Sequence, residues 1–495
     1  MMRAFEILDQ VLARRAVALF LVACVAFGYS AAYFSHPLFP GFDESGPARG
    51  WLTWTDQNRY LVESLAIVQL RLDAASYFYP IGYPLLGAVF VKWMPNNPFF
   101  VPDLVFIVAA SMVWWQLARR WLNPTVALVT GLVFVFTHSW LVKQTMVVPW
   151  NTIPTLFTLL AGIEIVLERS DQRAVRWLAF LGAVTYIIRP IDAVAFTPLL
   201  IFATLRLPTW RARLISGATG LAIVGAAVIA IGCFNLWLVG QWQTVYELVS
   251  TRTIGFFSYP TSYKLFWLLV DGRPLLGEVD AALFFRYPWL FLGIPAVFSL
   301  IRKEGPAGIA VFAAMALNAL LYLNYNDLLP SDIYRFTLIH YLTWIFPLLF
   351  LLVVAACRDV GVNRWIQFGF ALSIVLVVVC IGLRLEPERL ETPAAGGRSY
   401  SLPETRPLLV EFPGVSMESI ALLRVDERVL VEYSEYLVPY VPSDLKLLLG
   451  TKTQGSALNI AAGSQLATPP LFSRYGWRWS LVKERLNVFA ERKNY

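Results

Sequence analysis

Arg14-Arg15 leads into Ala16-Val17-Ala18-Leu19-Phe20-Leu21-Val22-Ala23-Cys24-Val25-Ala26-Phe27-Gly28-Tyr29-Ser30-Ala31-Ala32-Tyr33-Phe34, an apolar run of roughly the 20 residues that a helix needs to cross a hydrocarbon core. Two arginines ahead of a first span favour the cytoplasmic side, so the chain that follows emerges on the outer face. That following stretch holds Phe42-Asp43-Glu44-Ser45-Gly46 and then Trp51-Leu52-Thr53-Trp54-Thr55-Asp56-Gln57-Asn58-Arg59-Tyr60. Three carboxylates therefore stand among aromatic and basic residues, between two apolar segments and at a membrane boundary.

Composition extends this reading to the whole chain. Of 495 residues, 58% are hydrophobic and only 15% charged, with a mean hydropathy of +0.60, which excludes an ordinary soluble domain. The first apolar run reads as a retained signal anchor rather than a cleaved leader, because many others follow it. The formal net charge of +7 does not point to nucleic acid. The basic residues fall in short loops such as Arg119-Arg120, Arg206 to Arg213 and Arg302-Lys303, the pattern of positive loops on the cytoplasmic side. Cys24, Cys233, Cys357 and Cys380 lie in apolar runs without paired spacing and read as packing residues. His36, His138 and His340 are isolated from one another and from cysteine, so no metal and no cofactor is expected.

The apolar segments, near Ala16 to Phe34, Gly82 to Trp93, Val101 to Leu117, Val126 to Trp140, Ile153 to Leu167, Trp177 to Ile188, Ala193 to Leu205, Ile215 to Val239, Ala281 to Ile301, Ile309 to Leu323, Phe336 to Ala356 and Trp365 to Leu383, predict an all-α membrane protein. Its expected form is a polytopic bundle of about 10–12 transmembrane helices. It occupies residues 1–383, with outer loops at 35–80 and 240–280. A Pro/Gly/Glu-rich linker then opens a tail, 384–495, with strand-like alternation at Arg428-Val429-Leu430-Val431-Glu432-Tyr433 and a basic final element from Trp477 to Lys493. The tail is expected to be a small α/β domain outside the bilayer.

Asp56 to Ala66 has helical spacing, with Asp56 and Tyr60 on one face and Arg59 and Glu63 on another, and Thr53 or Thr55 can cap it. Such a helix would lie along the outer surface and hold Asp56 at the boundary. Tyr77-Phe78-Tyr79-Pro80-Ile81-Gly82-Tyr83-Pro84 is a rigid aromatic turn leading into the membrane. Arg189 and Arg335 stand at the ends of apolar segments, where a charge is costly and points to function or to snorkelling toward the headgroups. Asp192 is placed to neutralise Arg189.

These pieces together resemble the GT-C glycosyltransferases, the family that uses polyprenyl-phosphate-linked sugars and includes protein mannosyltransferases and the aminoarabinose transferase of lipid A. The matching elements are Asp-x-x-x-Tyr in the first outer loop (Asp56, Tyr60), Tyr-Pro-x-Gly-Tyr-Pro-Leu-Leu at Tyr79 to Leu86, Arg-Pro-x-Asp at Arg189 to Asp192 and Tyr-Arg-Phe at Tyr334 to Phe336. The likeness spans roughly Arg14 to Ala356. It implies an inner-membrane enzyme with its site on the periplasmic face, moving a sugar from a polyprenyl-phosphate donor to a lipid, glycan or protein acceptor. Asp56 would be the general base, with Asp43 and Glu44 as the alternative carboxylates, and one base without an enzyme nucleophile implies single displacement with inversion. Tyr60, Tyr79 and Tyr83 would line the substrate site, and Arg189, Arg335, Lys143, Lys264 and Arg273 are the candidates for the donor phosphate. At Pro149-Trp150-Asn151-Thr152 this chain has Asn151 where many relatives carry an acid, so metal dependence is not expected. The rival readings are a transporter or flippase of lipid-linked sugars and a non-catalytic partner in envelope polysaccharide assembly.

Overall fold

The computed structural model describes residues 10, 15–36, 55–74, 76–249, 265, 268–270, 282–324, 340–359, 366–369, 371–373 and 375, with the backbone of seven strands between 388 and 462. Helices dominate: α1 (Arg15–Phe34), α2 (Thr55–Val68), α3 (Gly82–Phe90), α4 (Phe100–Trp121), α5 (Pro124–Thr137), α6 (Thr152–Glu168), α7 (Gln172–Ile188), α8 (Phe196–Leu205), α9 (Trp210–Val239), α10 (Gly293–Glu304), α11 (Pro306–Asn324) and α12 (Ile345–Asp359). Three of them, α4, α9 and α11, are long and apolar enough to cross a membrane.

Their starts follow from local chemistry. Asn123, Asp171 and Thr209 cap α5, α7 and α9 by accepting the N–H three residues on, which satisfies donors that a helix start leaves open. α9 ends at Gly240, whose φ of +68° is one that glycine reaches without strain. Along α9, Leu221 and Trp237 are 77% and 76% exposed, a face that suits lipid far better than water.

α6 is the centre of the bundle. It is buried along most of its length and packs on α4, α7, α8 and α11. Small residues allow close approach: Gly220 of α9 meets Val175 and Ala179 of α7, and Gly162 and Gly182 leave room for the Phe196 ring.

The helices sort the charged residues to two ends. At one end, Arg120 closing α4 binds Glu168 of α6 and Glu304 of α10, and Trp121 donates to the same Glu304 at 2.7 Å. Lys303 pairs with Asp359 at 2.7 Å, and Arg206, just past the end of α8, and Arg358 of α12 reach the Val166 and Trp121 carbonyls. The C-terminal ends of α4, α6, α8, α10 and α12 thus meet in one basic belt. At the other end lie the starts of α4, α6 and α12, the ends of α7, α9 and α11, and all of α2 and α3.

Several expectations change. The run Ala281 to Ile301 is not one helix: Pro288 lacks an N–H and Tyr287 takes φ −132°, ψ 71°. It therefore divides into a turn at Leu283–Arg286, a 3₁₀ turn at Pro288–Leu292 and α10. The run Val126 to Trp140 leaves the helix at His138 (φ −114°, ψ 31°) and continues through a short turn into a π-turn at Lys143–Val147. Cys24, Cys233 and Cys357 are not packed inside but exposed on helix faces, where a small apolar side chain is at home against lipid tails. Thr53 lies outside the described residues, and Thr55 stands at the start of the described helix.

Beyond residue 384 the described backbone is strand. Leu408–Phe412 lies between Glu388–Glu391, parallel, and Leu445–Leu449, antiparallel. A second, antiparallel sheet runs Arg398–Ser401, Ala457–Ala462, Ile420–Val425 and Arg428–Glu432.

The close packing of α3 yields a stability test. A Cβ on Gly87 would stand 2.5 Å from the Phe99 ring and 2.7 Å from Ser64 Oγ, whereas Gly225 of α9 has nothing within 4 Å. Gly87→Ala is expected to destabilise the protein by about 1–3 kcal/mol, as overpacking does, and Gly225→Ala to leave it unchanged or slightly more stable. Thermal unfolding of both variants in detergent checks this, and equal midpoints would show that α3 yields freely.

Candidate functional site

The site is built around α2, which the sequence pattern sets as a short amphipathic helix with Asp56 in its first turn, where the helix dipole favours a carboxylate. Several polar residues along it have defined partners. Gln57 Nε2 donates to the Pro149 carbonyl at 2.8 Å, tying the helix start to the segment before α6. Ser64 Oγ donates to the Tyr60 and Pro84 carbonyls at 2.7 and 2.8 Å. Arg59 lies 3.8 Å over the Phe78 ring.

The aromatic turn wraps this helix. Tyr79 Oη donates to Asp56 Oδ1 at 2.5 Å, and Tyr83 Oη donates to Asp103 Oδ2 at 2.8 Å. Tyr60 packs against Tyr79 (4.6 Å) and edge-on against Tyr83 (4.8 Å), the geometry aromatic pairs prefer. Gly82 is required here: a Cβ would lie 2.7 Å from the Ile187 carbonyl oxygen. Tyr77 Oη donates to Asn235 near the end of α9 at 2.7 Å, so the turn is fastened to the bundle on two sides.

Next to this aromatic wall is a buried cluster of charge. Arg189 is 6% exposed and Asp192 1%. Arg189 Nε donates to Tyr322 Oη at 2.9 Å and stands 3.5 Å from Asp192 Oδ2, while Nη1 donates to Asn151 Oδ1 at 3.4 Å. Its guanidinium also lies 5.3 and 5.1 Å from the Tyr322 and Tyr341 rings, within cation–π reach. Asp192 accepts from Thr155 (2.9 Å), Asn318 (3.1 Å) and Tyr322 (2.8 Å). Among the described residues Arg189 Nη2 has no protein partner.

The two parts join at Tyr60 and Tyr246. Burial pushes the Tyr60 phenol well above its ordinary range, and the Asp56 carboxylate adds to this while the Arg189 guanidinium opposes it. Burial likewise raises Tyr79, again with Asp56 adding to it and with Arg59 opposing. Tyr246 packs in a tilted arrangement at 4.8 Å against Tyr79 and also feels Arg189. Asp56 and Arg189 therefore both act on the Tyr60 phenol, with opposite effect.

Of the residues singled out from sequence, the structure brings together Asp56, Tyr60, Tyr79, Tyr83 and Arg189. Lys143 stands apart, beside His36 at the end of α1. There burial, with the Lys143 ammonium adding to it, pushes the imidazole down to about 4 against a hydrogen bond to the Lys143 backbone. Asp43, Glu44, Lys264, Arg273 and Arg335 lie outside the described residues. Asn151, noted for its neutrality, is a direct partner of Arg189. Among the described residues no three of His, Cys, Asp and Glu are grouped to hold a metal ion.

Sequence reasoning gave Glu63 no role beyond sharing a face with Arg59 and passed over Asp103, Tyr246, Asn318 and Tyr322. Two signals could have found some of them. Asp103 interrupts an apolar segment, which marks a functional or paired carboxylate. Thr244-x-x-Glu247 is a capping box, with the Thr244 N–H on Glu247 at 2.8 Å and the Glu247 N–H on Thr244 at 3.1 Å, and it fixes the helical turn that presents Tyr246.

Truncating Asp192 to alanine would leave Arg189 buried without its carboxylate, a loss of about 3–5 kcal/mol for a buried ion pair broken on one side. Asp192→Asn, which keeps a hydrogen-bonding group in place, is expected to cost less. Thermal stability of the two variants measures the difference, and an unperturbed Asp192→Ala protein would mean that the cluster carries no structural load.

Comparison of the chain with protein-family models, with curated proteins and with solved structures finds no match.

Proposed function

We propose that this chain is an integral membrane glycosyltransferase of the GT-C type, moving a sugar from a polyprenyl-phosphate donor to a lipid, glycan or protein acceptor. The observation that carries the reading is that Asp56 and Arg189 both act on the Tyr60 phenol at one end of the bundle, with Asp56 also bonded to Tyr79. An acid within hydrogen-bond reach of an acceptor hydroxyl can remove its proton, and a cation held in a low-dielectric place can meet the charge that develops on a departing phosphate.

In this reading Asp56 takes the proton as the acceptor oxygen bonds to the anomeric carbon. The bond from that carbon to the phosphate oxygen breaks, the electron pair leaves with the lipid phosphate, and the configuration inverts. Arg189 faces the phosphate through Nη2, which has no protein partner among the described residues, while Nε and Nη1 are held by Tyr322 and Asn151. Tyr60, Tyr79 and Tyr83 form the wall against which the sugar lies. No step requires a metal.

The same reading orients the protein. The basic belt of Arg119, Arg120, Arg206, Arg213, Lys303 and Arg358 would face the cytoplasm and the Asp56–Arg189 end the periplasm of a bacterial inner membrane. The full 10–12-helix bundle and the formation of a small exoplasmic domain by residues 384–495 belong to this proposal.

The test is transfer of labelled sugar from a panel of polyprenyl-phosphate sugars in membranes holding wild type or Asp56→Asn. Asp56→Asn is expected to lose at least about 10²-fold in rate, the lower contribution of a positioned base, with thermal stability retained. Transfer by a folded Asp56→Asn protein at the wild-type rate would remove Asp56 from the role. Absence of transfer by the wild type with every donor would favour the transporter or assembly-partner readings.

A further inference from the structure

Glu63 follows Asp56 by two turns of α2, an advance of about 10 Å along the helix axis, and is 1% exposed. Its Oε1 accepts the N–H of Phe78 at 2.9 Å and that of Tyr79 at 2.8 Å. On the other side of the turn, the Phe78 carbonyl accepts the N–H of Tyr246 at 3.0 Å. The backbone of Phe78 and Tyr79 is therefore held between α2 and the Val245–Val249 turn, and the Tyr79 ring sits between Tyr60 and Tyr246 at 4.6 and 4.8 Å. Both ends of Tyr79 are anchored on one helix, the main chain at Glu63 and the phenol at Asp56.

The way the Glu63 carboxylate is used is uneven. One oxygen accepts two hydrogen bonds, while Oε2 is buried with none among the described residues. Burial pushes this carboxyl well above its usual range, and the two N–H groups and Arg59 oppose that. A buried acid is a costly way to satisfy two N–H groups, and native interiors leave few polar atoms unpaired. The reach of the side chain, with its acceptor placed where two consecutive N–H groups converge, is what the turn uses.

We propose that Glu63 is the positioning residue for Tyr79: by receiving the Phe78 and Tyr79 N–H groups on one oxygen, it sets the height of the aromatic turn at which the Tyr79 hydroxyl meets Asp56 and orients that carboxylate. The further consequence, that this orientation serves proton removal from an acceptor hydroxyl, rests on the reading of Asp56 as the base.

Two substitutions separate reach from charge. Glu63→Gln keeps the length and an acceptor oxygen but removes the charge; Glu63→Asp keeps the charge but draws the acceptor back by one methylene. The readout is the phenol C–O stretch of Tyr79 in isotope-edited infrared spectra of the full-length protein, with Tyr79→Phe as the blank and Asp56→Ala marking the position of the band when its acceptor is gone. The band of Glu63→Gln is expected at the wild-type position and that of Glu63→Asp displaced toward the Asp56→Ala position. In the sugar-transfer assay Glu63→Asp is expected to lose about tenfold in kcat, as for one hydrogen bond, with the donor KM retained. A band unmoved in Glu63→Asp, or moved as far in Glu63→Gln, overturns the proposal. If the bands behave as expected while no donor supports transfer, the positioning stands and the glycosyltransferase reading falls. If transfer depends on Asp56 but the Glu63→Asp band stays in place, the reading stands and the positioning falls.

Discussion

The arrangement at the end of the bundle that holds α2 and Arg189 depends on the buried carboxylate of Asp192. A charge removed from water to this degree is tolerated only when paired and hydrogen-bonded, and Asp192 meets that demand from three helices at once: Thr155 on α6, Asn318 and Tyr322 on α11, with Arg189 at the end of α7. Tyr322 acts as a link, receiving the Arg189 Nε–H and passing its own O–H to Asp192. Asn318 extends the network by accepting from the indole of Trp344 at the entry to α12. Because each bond has a fixed reach of about 3 Å, satisfying this one acid fixes where α6, α7, α11 and α12 end relative to one another. The aromatic turn and α2 then rest on that platform.

The contrast between the two ends of the bundle follows from the same demand. At the basic end, the side chains of Arg120 and Lys303 are 26% and 27% exposed, and such half-exposed pairs contribute little each. They serve to close the helix ends together. At the other end the charges are enclosed, and enclosure is what gives a charge leverage, since the field of an ion is poorly screened away from water. The chain thus holds its half-exposed cations in surface pairs at one end and its enclosed cation, Arg189, in a buried network at the other.

How much of this was legible in the sequence depended on whether a residue's meaning was local. Asp56, Tyr60, Tyr79 and Tyr83 are close in sequence, and helical spacing plus a proline-bounded turn sufficed to bring them near one another. Arg189 was visible because it ends an apolar run. Glu63 was read only as a face-mate of Arg59, since nothing in helix periodicity reveals that a carboxylate will receive two N–H groups from a turn fifteen residues on. Tyr322 and Asn318 were silent for a different reason: tyrosine and asparagine in an apolar helix carry no signal until a distant partner, here more than a hundred residues away, is known. The break of the Ala281 to Ile301 run was legible in principle at Pro288, but hydropathy averages over a single proline.

A base and a cation are both needed for the proposed transfer, and their magnitudes are comparable. A positioned base contributes about 10²–10⁴-fold. Two unit charges about 4 Å apart at an effective dielectric of about 20 interact by about 4 kcal/mol, which in a rate is about 10³-fold. That second contribution is realised only if the cation does not have to leave a partner when the phosphate charge appears. Arg189 fits this condition. Asp192 is occupied by three other donors, so it does not depend on Arg189 alone, and the guanidinium is held at Nε and Nη1 while Nη2 has no protein partner among the described residues. A cation held in this way is organised before the reaction begins, and it can answer a developing negative charge without rearranging the cluster that supports the fold.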